Sequence, residues 1–419
     1  MPLPSRIFRL LPIALALSTG PGRSVAAPLS LDLPELKDQI VAVDAFNNDY
    51  YPKGCNRIKI HDINSKLPIL WGNYIYIPAH LTANSDLSVI VGTVGGNKRL
   101  LFGFTRRARA DGKWRSVFMS ANTDWSAPIY VTRDDQDMVV PYVQGLGRQP
   151  LTDMYLGAIG TDYLSMGVLP RPEKFSLGMQ RAAVVDSLDA RTLYVAADNG
   201  NLYRIDRESF QVIGEPLPYP VTDASTLEMR TKTYMAISPD GRNLVINGGP
   251  RAFLTVVDIE RWALSLVKLE GLTTTWGLDF NYQVSDKLLA VHGRNRIAVY
   301  RFDGSTLPSI LASASVPPLI PRAGNIKAWD SAPDLIWNGR GSKVVAFSGV
   351  TKSLALFDFV LEPKAGLKPD GGLQPCEPET STEWFPEPVA MLSSNRAPYI
   401  PPPAPMPTLT TTATASDTP

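Results

Sequence analysis

The residues best suited to chemistry in this chain are few. There are three histidines, His61, His80 and His292, two cysteines, Cys55 and Cys376, and one dense carboxylate run, Asp134-Asp135-Gln136-Asp137. The histidines fall at no helical or finger-like spacing, and no Cys–His cluster exists, which argues against a zinc or copper centre. Oxygen ligands of the kind in the Asp134–Asp137 run suit Ca²⁺, although a charge-rich hairpin tip is more often simply solvated. Haem attachment through Cys-x-x-Cys-His, a P-loop and a Gly-x-Ser-x-Gly nucleophile elbow are all absent, and Gly92-Thr-Val-Gly-Gly reads as a hairpin turn. The expectation is therefore no cofactor, with calcium at the aspartate run the one candidate. The basic run Arg106-Arg107-Ala-Arg109 precedes Asp111-Gly112 and reads as an exposed loop that could meet an anionic partner.

What must position any site is a repeated unit. Val185-Asp-Ser-Leu-Asp-Ala-Arg-Thr-Leu-Tyr-Val-Ala, Ala236-Ile-Ser-Pro-Asp-Gly-Arg-Asn-Leu-Val-Ile and Ile336-Trp-Asn-Gly-Arg-Gly-Ser-Lys-Val-Val-Ala share one layout. Each is an apolar run, a polar turn and a second apolar run. A further strand follows and ends in Asp206, Asp258 or Asp358. A fixed unit of this kind marks a repeat architecture. In the Ser238-Pro239-Asp240-Gly241 turn, Pro239 sets φ, Asp240 bonds to nearby backbone and Gly241 tolerates positive φ. The strand-ending aspartates are expected to build turns and not to catalyse.

Between about Lys37 and Leu361, apolar runs of four to eight residues alternate with Gly, Asn, Asp and Pro turns, and no long helical period occurs. Strand pairs are predicted at 39–44 with 57–62, 87–94 with 98–104, 128–132 with 138–143 and 192–197 with 201–206. The series continues at 243–247 with 253–258, 287–292 with 296–302 and 343–348 with 353–358. A spacing near 50 residues suits one four-stranded blade per unit, so the fold class is all-β, a β-propeller of seven four-stranded blades. The stretch from Asp153 to Gly178 is an insertion or an irregular outer strand, which leaves six or eight blades open.

The 192–206 and 236–246 segments resemble YVTN-type (WD-like) repeats of exported bacterial β-propellers. The strong repeats span roughly Ala182 to Asp358, and the first third matches by pattern only. The resemblance implies a propeller whose Ser/Asp-Pro-Asp-Gly turn joins the first two strands of a blade. It selects no reaction, because propellers of this kind include surface proteins, binders and relatives of lactonases.

The two ends differ from the middle. Arg6 and Arg9, the apolar stretch Leu10–Leu17 and the small residues Ser24-Val25-Ala26 read as a signal peptide over 1–26. The apolar run is too short to span a bilayer, and no other stretch is long and apolar enough. The expected location is secreted, periplasmic or at the cell surface. The whole chain has 41 basic and 40 acidic residues. Cleavage would remove three arginines and no acid and leave a charge of −2, which disfavours a nucleic-acid partner. Two cysteines in an exported chain suggest one disulfide, Cys55–Cys376, tying the end of the chain to its beginning, with two free thiols as the alternative. The propeller is assigned to 27–361. The Pro- and Thr-rich 362–419 is expected to be an extended, largely disordered tail.

Function is sought where the copies disagree. Residues just before each blade's innermost strand should ring one mouth of the central channel, and repeat alignment puts Tyr234 opposite Asp334, with Arg181 and Trp276 close by. Aromatic bodies with one cation and one anion form a recognition ring for a protein, glycan or small-molecule ligand; the competing reading is that the aromatics plug the channel. Trp125, Trp329 and Asp330 precede strands in a similar way. The first reading is a non-enzymatic binding or scaffold protein. The alternative is a propeller enzyme of lactonase or lyase type, using Asp334 and Glu228 or a bound calcium at the mouth. A structural subunit of a redox complex is a third.

Overall fold

The computed structural model describes residues 34–45, 58–64, 68–71, 78–87, 89–94, 100–105, 115–120, 129–142, 145–151, 166–167, 173–176, 182–220, 233–249, 251–293, 295–304, 309–316, 335–348, 353–373 and 387–403. The expected signal peptide, both cysteines and the basic run at 106–109 lie outside them.

The described residues form seven sheets, antiparallel but for one added edge strand, each ordered from an inner to an outer strand, as a seven-bladed propeller requires. All seven predicted strand pairs are present. Blade 2 starts at Pro78–Ala83, blade 3 at Tyr130–Val131, blade 4 at Ala182–Asp186 and blade 5 at Met235–Ile237. Blade 6 starts at Leu278–Asn281 and blade 7 at Leu335–Trp337. Part of the 153–178 stretch proves to be edge strand. Glu173–Ser176 is the outer strand of blade 3, and Met166–Gly167 adds a fifth, parallel strand to blade 2.

Blade 1 departs from the sequence-based reading. Three of its strands are Gln39–Ala45, Ile58–Asp62 and Pro68–Trp71, but its inner strand is Glu387–Ser393, paired antiparallel with Gln39–Ala45. Likewise Gly366–Leu373 is the outer strand of blade 7. The expected tail from 362 is thus corrected: two of its segments are strands and one closes the ring. Composition hid them. Gly366–Leu373 carries three glycines and a proline, which an outer edge strand tolerates because its solvent-facing N–H groups need no ladder partner.

The repeated turn recurs in five blades with one geometry. Its first residue, Asn84, Thr132, Ser187, Ser238 or Asn338, accepts from the backbone N–H five positions on, at 2.8 to 3.0 Å. Its carbonyl accepts from the N–H three positions on, at Leu87, Asp135, Ala190, Gly241 and Gly341. Those five residues all have positive φ, between 52° and 72°. Only two are glycine, so tertiary context holds three other side chains in the left-handed region. Asp206 and Asp258 do build turns, accepting from Ser209 N–H and Arg261 N–H. Asp358 instead pairs with the ammonium of Lys343.

The core lies between blades. Val245, Leu254, Phe280, Leu289 and Tyr300 pack blade 5 on blade 6, and Trp337, Val344 and Phe357 pack blade 7 on Leu288, Ala290 and Val299 of blade 6. Each sheet is apolar on both faces because both are covered by a neighbour, which is why the second strands read as continuous apolar runs.

Candidate functional site in the central channel

The inner strands are sheet edges facing a channel, so their outward N–H groups need partners that no sheet supplies. Side chains from neighbouring blades provide them. Thr82 Oγ1 accepts from Val131 N–H at 3.3 Å, Asp186 Oδ2 from Arg133 N–H at 2.7 Å and Asp279 Oδ2 from Trp337 N–H at 2.9 Å. Polar residues on these strands therefore stitch the ring.

The channel encloses a cavity of about 330 Å³. Its wall is mainly aliphatic, with Ala183, Met235, Leu278, Ile336 and Leu392 among its residues. Asp279 puts a carboxyl group on the same wall, and Tyr234 lines it with its hydroxyl buried; both residues are half-buried. The residues preceding the inner strands of blades 2, 3, 4, 5, 7 and 1 in sequence, at 72–77, 121–128, 177–181, 221–232, 317–334 and 374–386, lie outside the described residues.

At the turn face the channel is crossed by the chain itself. After the inner strand of blade 1, Ser394 Oγ donates to Leu36 O, and Asn395 Nδ2 donates to Asp279 Oδ2 at 3.0 Å and Phe280 O at 2.7 Å. Asn395 Oδ1 accepts from Tyr282 N–H. Arg396 then reaches blades 2 and 3, donating to Ala83 O, Val131 O, Thr132 O and Asp135 Oδ1 at 2.9 to 3.3 Å. Ile400 N–H ends the crossing on Leu188 O of blade 4.

Beside this floor lies a buried ion pair. Arg133 Nε donates to Asp186 Oδ1 at 2.8 Å, and Tyr130 Oη donates to the same oxygen at 2.7 Å. Burial pushes the Tyr130 and Tyr282 phenols well above the usual tyrosine range, reinforced by the negative charges of Asp186 and Asp279 respectively. Burial also raises Asp135, against the opposing charge of Arg396 and the hydrogen bonds from Ser85.

The aspartate run is absorbed by the same network. Arg207 bridges Asp134 and Asp137 at 2.6 and 2.7 Å, while Asp135 takes Arg396. All three carboxylates of the run are thus paired with guanidinium groups. Among the described residues no three His, Cys, Asp or Glu side chains converge as a metal site.

Of the expected ring, Tyr234 lines the cavity, and its N–H donates to Asn247 Oδ1. Trp276 is half-buried and lies outside the cavity lining. Pairing registers place Ala183 and Gly277 at the position of Tyr234, with Trp276 one residue earlier, because His292 N–H bonds to Gly277 O. Arg181, Asp334, Glu228, Trp125, Trp329 and Asp330 lie outside the described residues. Sequence reasoning missed Asp279, Asn395 and Arg396. Only Asp279 left a signal: it is an acid inside an apolar strand, Leu278-Asp-Phe-Asn281.

Seven sheets of four or five strands around a channel define the class: a β-propeller. No family model matches the sequence, and no curated protein does. Solved structures do. A functionally unknown protein from Desulfotomaculum acetoxidans is 12% identical with a TM-score of 0.57, over 80% of this chain and 95% of that one. A candidate 6-phosphogluconolactonase from Bacteroides uniformis is 10% identical with a TM-score of 0.56, over 85% and 99%. The periplasmic gluconolactonase of Pseudomonas aeruginosa is 13% identical with a TM-score of 0.54, over 80% and 96%. At such identities the likeness is one of fold.

Proposed function

We propose that the channel is a small-molecule site and that its ligands are compact neutral lactones, with Asp279 as the carboxylate that acts on them. The observation that carries this is the half-buried Asp279 on the wall of a cavity of about 330 Å³, within the usual size range for small-molecule sites. Its Oδ2 is held in place by Trp337 N–H and Asn395 Nδ2. The fold shared with gluconolactonases supports the lactone class. Both guanidinium groups on the wall, Arg133 and Arg396, are committed to protein acceptors. Nothing described there is built to take a phosphate, so a neutral lactone fits better than a phosphorylated one.

In the reaction a water oxygen would attack the lactone carbonyl while Asp279 takes the water's proton. The ring C–O bond then breaks, and the ring oxygen leaves as a hydroxyl carrying that proton, giving the hydroxy acid. A carboxylate that only stitches the ring is the competing role. Asp279→Asn separates the two, since the amide oxygen still accepts from Trp337 N–H but holds no charge. Hydrolysis of glucono-δ-lactone should exceed the spontaneous rate in the native protein and fall at least a hundredfold in the variant, with unchanged thermal stability. Lactone bound without turnover would favour the second reading, a non-enzymatic binding propeller. No binding at all would overturn the channel as a site. Export to the periplasm or beyond forms part of this proposal, on the strength of the N-terminal segment.

A further inference from the structure

We infer that the segment following the last strand is part of the site, with Asn395 as the positioning residue for Asp279; this rests on reading the channel as a small-molecule site. Asn395 is buried and makes three bonds at one point of the ring. Its amide donates to Asp279 Oδ2, the oxygen that also takes Trp337 N–H, and its carbonyl accepts from Tyr282 N–H. Asp279 sits on the inner strand of blade 6, and Trp337 on that of blade 7. Asn395 arrives from the chain that has just completed blade 1, so the orientation of the carboxylate is fixed only when the C-terminal strand has docked. Arg396 holds this arrangement from the opposite side through four acceptors of blades 2 and 3, and Ala397 packs with Tyr130, Leu188 and Tyr282.

Nothing but a donor at this position explains the geometry. An apolar side chain would leave Phe280 O and Tyr282 N–H without their present partners, and an acid would face the Asp279 carboxylate with a second negative charge. The segment also forms the floor of the cavity at the turn face, since Ser393, Asn395, Arg396 and Ala397 line it. The last residues of the propeller therefore supply one wall of the cavity.

The test compares the native chain with Asn395→Asp and Asn395→Ala, each full length. Asn395→Asp keeps the shape and the acceptor for Tyr282 N–H but loses the donor to Asp279. Hydrogen exchange should be at least tenfold faster at the Trp337 amide in both variants, while the amides of Leu288–His292 keep their native rates. With glucono-δ-lactone as the probe, kcat should fall about tenfold or more in both, with KM within twofold. A residue that only fills space would be rescued by Asn395→Asp, and full activity in that variant would overturn the inference. Native exchange at Trp337 in both variants would overturn it too. If the native protein shows no lactone turnover, the catalytic role of Asp279 fails, and the exchange arm alone decides whether Asn395 fixes its carboxylate.

Discussion

Arg133 and Asp186 form an ion pair at 2.8 Å between blades 3 and 4, with side chains 5% and 0% exposed. Neither residue completes a catalytic set. The guanidinium also donates to Asp186 O, and the carboxylate accepts Arg133 N–H and Tyr130 Oη, so one pair closes the polar edges of two inner strands. Arg133→Met would leave a buried carboxylate without its cation, a change that costs about 3–5 kcal/mol. Urea unfolding should show that loss, and Arg133→Met combined with Asp186→Leu should recover part of it. Equal losses in the single and double variants would mean that packing, not charge, carries the effect.

Ring closure depends on the end of the chain. A stop codon after residue 386 removes the inner strand of blade 1 together with Asn395 and Arg396, and should abolish the cooperative thermal transition. A stop after Pro403 retains every described contact and should leave the melting temperature within about 2 °C, a shift below roughly 2 kcal/mol for a chain of this size.

Gly341 has φ of +67°, and a Cβ there would fall on the Asn281 side chain, whose Nδ2 donates to Gly341 O at 2.8 Å. Gly341→Ala combines left-handed backbone strain with that collision and should cost about 1–3 kcal/mol. Equilibrium unfolding of the variant measures it; a cost below about 0.5 kcal/mol would show that the blade 7 turn yields where it meets blade 6.

Acid should loosen the seam where blade 7 meets the N-terminal segment. Hydrogen bonds from Arg340 hold the Asp38 carboxyl below its ordinary value of 3.8, against a smaller opposing effect of burial. Burial raises Asp240, but bonds from Lys287 and Ser238 outweigh it and leave that carboxyl lowered as well. In both cases the unfolded chain takes up its proton first as pH falls. The stability they contribute is therefore complete above the unfolded value near 3.8 and disappears as pH drops through the lower folded value. Urea midpoints measured from pH 5 to pH 2.5 should fall less steeply in Asp38→Asn than in the native protein. Parallel profiles would remove Asp38 from the account.

The blades were readable because each repeats one local solution. Two apolar runs flank a turn whose Ser, Thr or Asn side chain satisfies the chain five residues on, and this pattern needs no distant partner. The strand pairs and the Ser238–Gly241 turn could therefore be read in advance. The turn at Leu87, Asp135 and Ala190 was harder to see, since no glycine marks its positive φ. Of the expected ring, Tyr234 and Trp276 fall among the described residues. Tyr234 does line the cavity, but a turn of different length in blade 6 shifts Trp276 out of register.

Local patterning by itself determined an all-β ring of repeated units, because turn chemistry and strand periodicity act over a dozen residues; the sheet topology then fixed their number at seven. Tertiary structure alone decided which end of the chain fills the last place in blade 1 and which carboxylate reaches the channel. It also decided that the aspartates of 134–137 face arginines. Those outcomes rest on contacts between residues up to 358 positions apart, and no short-range pattern encodes a partner at that distance. Composition over 362–419 describes a Pro- and Thr-rich end, whereas the closed ring makes residues 387–397 within it an inner strand and floor.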